Sequence, residues 1–393
     1  MCVFGEIQTG RLCYVVGASH HTMKIPVILF GLSLSLPAQI KWELEAQHPA
    51  ALLFQNRPFE KDRLKAIETA GGEAASEETV LKSLRYLKNT QEPDGSWSRQ
   101  RVGMTGLGLL TFLGQGRTAA DDEFGETILA AIIHLTDTAE KYRGKLASDF
   151  KDSRWPYEHA IATYAMTEAY LLCCELNQEN IPSLEPALEL CGQFLTNSQG
   201  ENGGWNHAYQ ASTPGHRDIS LTSWHLLALR SLELTGFKFR NLDRAKRRAQ
   251  AFLVKTLEST PRLAFSKTAA AAHALQFSHS EPDASEKLIP KLVKSLKFDW
   301  DTADSDLYGN FFAAQALFHH DEESWASFQK LIIPSILKHQ SKDGSFQPVN
   351  QGNPKAVREI FASYASDSPE DTHYRSCLAT LILQTYYRHR VRL

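Results

Sequence analysis

The chain reads as all-α, a closed ring of six helical hairpins, and three observations carry that expectation. First, one seven-residue turn is written three times. The copies are Gln91-Glu92-Pro93-Asp94-Gly95-Ser96-Trp97, Gln199-Gly200-Glu201-Asn202-Gly203-Gly204-Trp205 and Gln340-Ser341-Lys342-Asp343-Gly344-Ser345-Phe346. Second, two kinds of helix alternate, one amphipathic and one apolar nearly all round; a helix of the second kind must be buried. Third, the pairs recur at roughly fifty residues, a period in the range of helical-repeat architectures. Length alone would suggest two or three domains, but the repeat argues for one ring.

The elements follow in order. Residues 1–22 carry no clear pattern. Met23-Lys24 then opens an apolar run from Ile25 to Leu36 that closes on Pro37-Ala38. A positive residue, an apolar run too short to span a bilayer and a small residue at the end have the shape of a secretory signal. The expectation is that Met23 is the true start, that residues 1–22 are an upstream extension, and that the protein is exported. A buried N-terminal helix and a retained anchor are the alternatives. Residues 39–75 are polar, rich in Glu and Lys, and form a helical lead-in and linker to a ring at 76–393.

Ser76-Glu77-Glu78-Thr79 supplies an N-cap and early acids for the first ring helix, Val80–Thr90. Its Val80, Leu81, Leu84 and Leu87 keep helical spacing. This helix, Leu184–Ser198 and Ser324–His339 end in the repeated turn. Phe124–Lys141, Asp243–Leu257 and Ala284–Leu296 are their counterparts without it. The apolar helices come between: Gly103–Leu113, Glu158–Leu172, Ile219–Leu234, Thr268–Phe277, Leu307–Phe318 and Tyr374–Tyr387. Small-residue runs such as Thr268-Ala269-Ala270-Ala271-Ala272 let such helices approach closely around an inner ring.

Within the turn, Asp-Gly and Asn-Gly are tight-turn dipeptides, the glycine supplying a positive φ. The Gln amide can satisfy backbone groups left open at a helix end, and the aromatic can fold back onto it. The motif is therefore first a structural staple.

The pattern resembles the QW-type repeat of squalene and hopene cyclases and of protein prenyltransferase β subunits. More narrowly, the chain resembles bacterial prenyltransferase/squalene-oxidase repeat proteins. The likeness runs from about Val80 to Tyr387 and includes Val102-Gly103-Met104-Thr105-Gly106-Leu107, Leu307-Tyr308, Ala314-Gln315-Ala316-Leu317-Phe318 and Tyr386-Tyr387-Arg388. It implies an α/α toroid, with inner and outer rings of helices around a central cavity. It says less about chemistry, because one fold hosts several functions.

At 393 residues, 42% hydrophobic and 22% charged, there is ample material for a core. A net charge of −3 leaves a nucleic-acid role without an electrostatic footprint. The six cysteines, at 2, 13, 173, 174, 191 and 377, show no CxxC spacing, so neither a zinc ribbon nor a dense disulfide framework is expected. A bridge from Cys191 to Cys173 or Cys174 is left open.

In a toroid the inner-helix N-termini surround the cavity, so chemistry is sought there. The starts of the apolar helices offer Thr105; Glu158 and His159; Asp218, Ser220 and Thr222; Lys267 and Thr268; Asp306, Tyr308 and Asn310; and Asp371, His373, Tyr374 and Arg375. Acids here have a plain role as caps; their convergence on one mouth makes them candidates for more.

The resemblance adds three models. Prenyltransferases bind zinc through Asp-x-Cys and a later His; here Asp306-Leu307-Tyr308 has Tyr for Cys, and Arg375-Ser376-Cys377 puts Arg at the ligand position. No metal or other cofactor is therefore expected. Class II cyclases use Asp-x-Asp-Asp; Asp304-Ser305-Asp306-Leu307 keeps two of the three carboxylates. A diphosphate clamp would draw on Lys267, Arg375, His159 and Tyr308. The expected catalytic residues are thus Asp306, Asp304 and Asp371. The expected ligand-binding residues are His159, Asp218, Thr222, Lys267, Tyr308, His373, Tyr374 and Arg375. The leading expectation is a hydrophobic isoprenoid-type ligand, bound or transformed in an apolar cavity, although no complete catalytic motif is present. The rival is a non-catalytic exported scaffold that uses the ring's surface.

Overall fold

The computed structural model describes residues 48–207, 209, 218–260, 262–279, 282–352, 368 and 370–389, together with the backbone of 4–7 and 10–13. It divides into two units, Met1–Pro37 and Ala38–Leu393. In the first, β1 (Phe4–Ile7) pairs antiparallel with β2 (Gly10–Cys13). The signal-like segment 23–38 lies outside the described residues.

The second unit begins with two short helices, α1 (Pro49–Phe54) and α2 (Glu60–Thr69). Six outer-then-inner pairs follow. They are α3 (Ala75–Asn89) with α4 (Arg101–Gly114), α5 (Gly125–Lys141) with α6 (Trp155–Ala169), and α7 (Leu184–Asn197) with α8 (Ile219–Leu234). Next come α9 (Leu242–Ser259) with α10 (Phe265–Phe277), then α11 (Pro282–Glu286) and α12 (Ile289–Ser295) with α13 (Leu307–Phe318). The last pair is α14 (Glu322–Lys338) with α15 (Thr372–Leu383), followed by the single turn α16 (Thr385–Arg388). Helix α6 runs on into a π-helical turn, Tyr170–Leu176.

Helices α4, α6, α8, α10, α13 and α15 each pack on the next, and α15 packs back on α4. The fold is an α/α toroid. The inner members are buried on nearly every side beyond their first turns; all twelve residues of α13 are buried. The outer members keep one wet face, as their mixed sequences require.

The repeated turn joins hairpins to one another. Gln91 Nε2 donates to Gly95 O at 2.9 Å within its own turn and to Thr127 O at 2.9 Å on α5. Gln199 donates likewise to Gly203 O (2.8 Å) and to Ala245 O on α9 (2.7 Å). Gln340 donates to Gly344 O (3.1 Å) and to Thr79 O on α3 (2.8 Å), which closes the ring. Close packing explains the glycine at the fifth position of the turn. Gly344 sits at φ +92°, and a Cβ there would meet Lys82 O at 2.1 Å. Gly95 and Gly203 stand the same way against Ala130 and Arg248 of the next outer helix. The aromatic then locks the turn to the helix it leaves: Trp97 Nε1 donates to Leu87 O at 2.8 Å. The Gln therefore serves the neighbouring hairpin, where the sequence alone assigns it to the preceding helix end.

The bore is filled. Trp224 on α8 meets Phe312 on α13 at 5.2 Å and stacks on Phe311 at 5.8 Å, across the intervening α10. Tyr164 on α6 reaches Phe277 on α10 at 6.4 Å, across α8. Contacts between non-adjacent inner helices can only cross the centre. These rings are at most 9% exposed, so the expected apolar ligand cavity is occupied by the protein's own aromatics.

At the end formed by the inner-helix C-termini, buried charges floor the bore. Glu168 accepts from Arg57 at 3.0 Å and from Arg388 at 2.8 Å, and all three are no more than 2% exposed. Burial alone would raise the Glu168 carboxyl, but the Arg388 and Arg57 guanidiniums overcome it and hold the group well below the usual range. Arg57 follows α1 and also reaches the carbonyls of Arg388 and Leu113. The lead-in is thus bolted to both halves of the ring. Cys173, Cys191 and Cys377 are free, buried thiols.

Candidate functional site

At the opposite end the inner-helix N-termini form a mouth. Asp218 caps α8 through Leu221 N–H (2.8 Å), and the same oxygen accepts from the Tyr157 hydroxyl at 2.7 Å. Its second oxygen faces Lys267 Nζ at 3.9 Å. Tyr157 belongs to α6, Asp218 to α8 and Lys267 to α10, so three successive inner helices meet at one carboxylate. From across the mouth Tyr308 accepts a hydrogen bond from Trp224 Nε1 at 3.0 Å. Its hydroxyl is pushed up chiefly by burial, and both Asp218 and Asp306 add to that shift.

Asp306 is the second carboxylate. It caps α13 through Gly309 N–H at 2.7 Å. Burial, opposed only by that one backbone donor, pushes its carboxyl up to about 6. The two acids therefore sit in contrasting settings around one tyrosine. Asp218 has a hydroxyl donor and a cation; Asp306 is part-buried and has a single N–H.

Of the residues expected at this rim, Asp218, Lys267, Tyr308 and Asp306 come together. The others point elsewhere. His159 is fully buried between the rings, its imidazole edge-on to Phe194 of α7 at 5.1 Å, and burial holds its pKa well below 6.5. Thr222 accepts from Trp205 N–H and anchors the second turn. His373 leans outward to Thr90 Oγ1 at 3.0 Å and packs on Tyr86. Arg375 grips the third turn through Phe346 O (2.9 Å) and also donates to Ser368 O (2.7 Å). Asp371 is 2% exposed and pairs with Arg99 at 2.7 Å. Asp304 pairs with Lys297 at the surface, and Tyr374 is buried at the start of α15.

Tyr157 is a mouth residue missing from the expected set. A signal was present: tyrosine recurs in the first turn of three inner helices, at Tyr157, Tyr308 and Tyr374. Glu158 beside it has a structural task. It accepts from Ser148 and from Gly103 N–H, tying the 143–154 loop to α4, and burial raises its carboxyl to about 6.

A cavity of about 750 Å³ lies at the floor end between α2 and α14, lined in part by Asp62, Gln329, Trp325 and Tyr386. Among the described residues, no three His, Cys, Asp or Glu converge so as to hold a metal ion. No helix described is long and apolar enough to cross a membrane.

No protein-family model matches the chain, and no curated protein does either. Solved structures do match in fold. One is the GH76A α-1,6-mannanase from Salegentibacter sp. HEL1_6, with 9% identity and a TM-score of 0.54 over 79% of this chain and 98% of that one. Another is an inactive variant of the same enzyme with two adjacent aspartates replaced, in complex with α-1,6-mannotriose (9% identity, TM-score 0.54, 80% and 99% coverage). A third is a similar variant with α-1,6-mannotetrose (10% identity, TM-score 0.52, 80% and 98% coverage).

These neighbours overturn the expectation drawn from the QW-like turn. They are toroid glycoside hydrolases that act on or hold manno-oligosaccharides, not prenyltransferases or squalene cyclases, and nothing in them favours the rival scaffold reading. The physical reason is visible in the turn itself. Its Gln and Gly are engaged in joints between hairpins and its Trp in pinning the turn to its own outer helix, so the motif marks a fold and not an isoprenoid chemistry. This chain's one adjacent aspartate pair, Asp121-Asp122, is also structural in part: Asp121 accepts from the N–H groups of Glu123 and Phe124 and pairs with Arg117.

Proposed function

We propose that the mouth binds a neutral oligosaccharide and hydrolyses a glycosidic bond, with Asp306 as general acid and Asp218 as general base. The observation that carries this reading is the placing of two carboxylates about Tyr308, of which Asp306 is raised to about 6 by burial and Asp218 accepts from Tyr157 and faces Lys267. A pair of carboxyl groups, one of them held protonated more readily than usual, is the arrangement glycoside hydrolysis needs. Asp306 would protonate the leaving oxygen. Asp218 would take a proton from the attacking water, with Tyr157 orienting it. The fold neighbours, whose partners are α-1,6-linked manno-oligosaccharides, indicate the substrate to try first. A secretory segment at 23–38 would suit a substrate outside the cell.

The test is release of reducing ends from α-1,6-mannotetrose by the full chain. Asp306→Asn and Asp218→Asn should each cut the rate at least a hundredfold. Asparagine still caps a helix, so a melting temperature near that of the parent separates lost chemistry from lost folding. Full activity in both variants would refute the assignment.

A pH dependence follows from the raised Asp306 carboxyl. The acid must be protonated to act, so kcat/KM should fall as pH rises through about 6. The same shift bears on stability. A carboxyl raised above its unfolded value near 4 contributes stability that is complete below that value and lost as pH rises through 6. Asp306→Asn should therefore melt no lower than the parent at pH 8, because it removes a charge that burial disfavours. Circular dichroism melts at pH 5 and pH 8 check the sign.

A further inference from the structure

We infer that Tyr142, Phe150 and Trp155 form a stacking platform for the sugar rings of an oligosaccharide whose cleaved bond lies at the mouth; this rests on the hydrolase reading above. Among the described residues large aromatic side chains are seldom left open to water, yet Tyr142 is 38% and Phe150 37% exposed. Tyr142 follows α5 and Phe150 lies within the loop that leads to α6, at the end of the ring where the inner helices begin. Their rings meet edge to face at 4.9 Å, Phe150 meets Trp155 in the same way at 5.1 Å, and Trp155 lies 4.6 Å from Tyr209. The series leads inward. Trp155 begins α6, and two residues on, Tyr157 holds Asp218.

The platform is fixed before any ligand arrives. Glu158 grips Ser148 inside the loop, Gln100 donates to Asp152 at 2.9 Å, and Asp149 caps the turn at Lys151 N–H. Pre-set rings spare a ligand the ordering cost that loops otherwise impose. The chemistry of the loop suits a sugar. A hexose offers an apolar C–H face for a ring and hydroxyls for the exposed Asp149 and Lys151 beside it. A protein partner fits less well, since a stable interface buries about 800 Å² per side and two partly open rings supply a small share of that.

The experiment is calorimetric titration of the full chain carrying Asp306→Asn, which should bind without turnover, with α-1,6-mannotriose and α-1,6-mannotetrose. The longer sugar should bind about tenfold tighter, as expected for one added stacking contact. Adding Phe150→Ser should bring the tetrose down to the affinity of the triose. Phe150 is a surface side chain, and an unchanged melting temperature confirms that the fold is intact. In the parent, Phe150→Ser should raise KM for the tetrose more than it lowers kcat. If the parent cleaves these sugars but Phe150→Ser leaves the length preference untouched, the platform is refuted while the hydrolase reading stands. If the parent neither binds nor cleaves either sugar, both are refuted. Loss of self-association in Phe150→Ser with no effect on sugar binding would assign the patch to a second copy of the chain.

Discussion

Glu168→Ala is expected to destabilise the ring by about 3–5 kcal/mol, the usual result of removing one partner from a buried ion cluster. The substitution leaves Arg57 and Arg388 facing each other, both essentially inaccessible, with no counter-charge. Burial already lowers Arg57 to about 10, with Arg388 adding to the shift, and Glu168 is what opposes it. The neighbouring His389, held at about 3 by burial, stays neutral and offers no counter-charge. Arg57→Ala should cost less, because Glu168 keeps Arg388 and one like-charge repulsion disappears. Urea titration of the two variants measures the ordering. Equal losses would mean that Arg57 matters for the carbonyls it binds and not for its charge.

Gly344→Ala is expected to cost about 3 kcal/mol or more, from a left-handed backbone that alanine resists together with a collision at the ring's closing joint. The Cβ would sit 2.1 Å from Lys82 O, and neither backbone can yield without opening the contact between α14 and α3. Gly236 supplies the control. It has φ +74° with nothing within 4 Å, so Gly236→Ala meets only the conformational term, about 1–2 kcal/mol. The difference between the two isolates the collision. Equal effects would show that the close approach carries no weight.

The hairpins were legible because the features that make them are local. Helical spacing at Val80, Leu84 and Leu87, the small residues of Thr268 to Ala272 and the Asp-Gly turns all act within a few residues. The direction in which a first-turn side chain leaves its helix is not local. Position along the chain places Asp218, His159 and His373 at the same height on the ring, but only the packing turns Asp218 to the mouth and the two histidines toward Phe194 and Tyr86. Asp371 resembles Asp306 in sequence, yet it is paired with Arg99. The rim was therefore read too widely, and Tyr157 was missed because the expected helix begins at Glu158, whereas the observed one begins at Trp155. Chemistry was the least legible part, since the most conspicuous motif is a fastener. Its likeness to cyclases reports how the hairpins are joined, and other toroids are joined with different contents.

The joint from Gln340 to Thr79 spans 261 positions of sequence but uses the same residues as the joints between consecutive hairpins. Synthesis from the N-terminus must therefore deliver five hairpins before the first can be clasped on its open side. Until then α3 presents a bare flank, and the half-made arc behaves as an unfinished arch awaiting its keystone. A stop codon shortly before residue 340 would remove α15 as well as the clasp, and would leave two raw edges on the remaining protein.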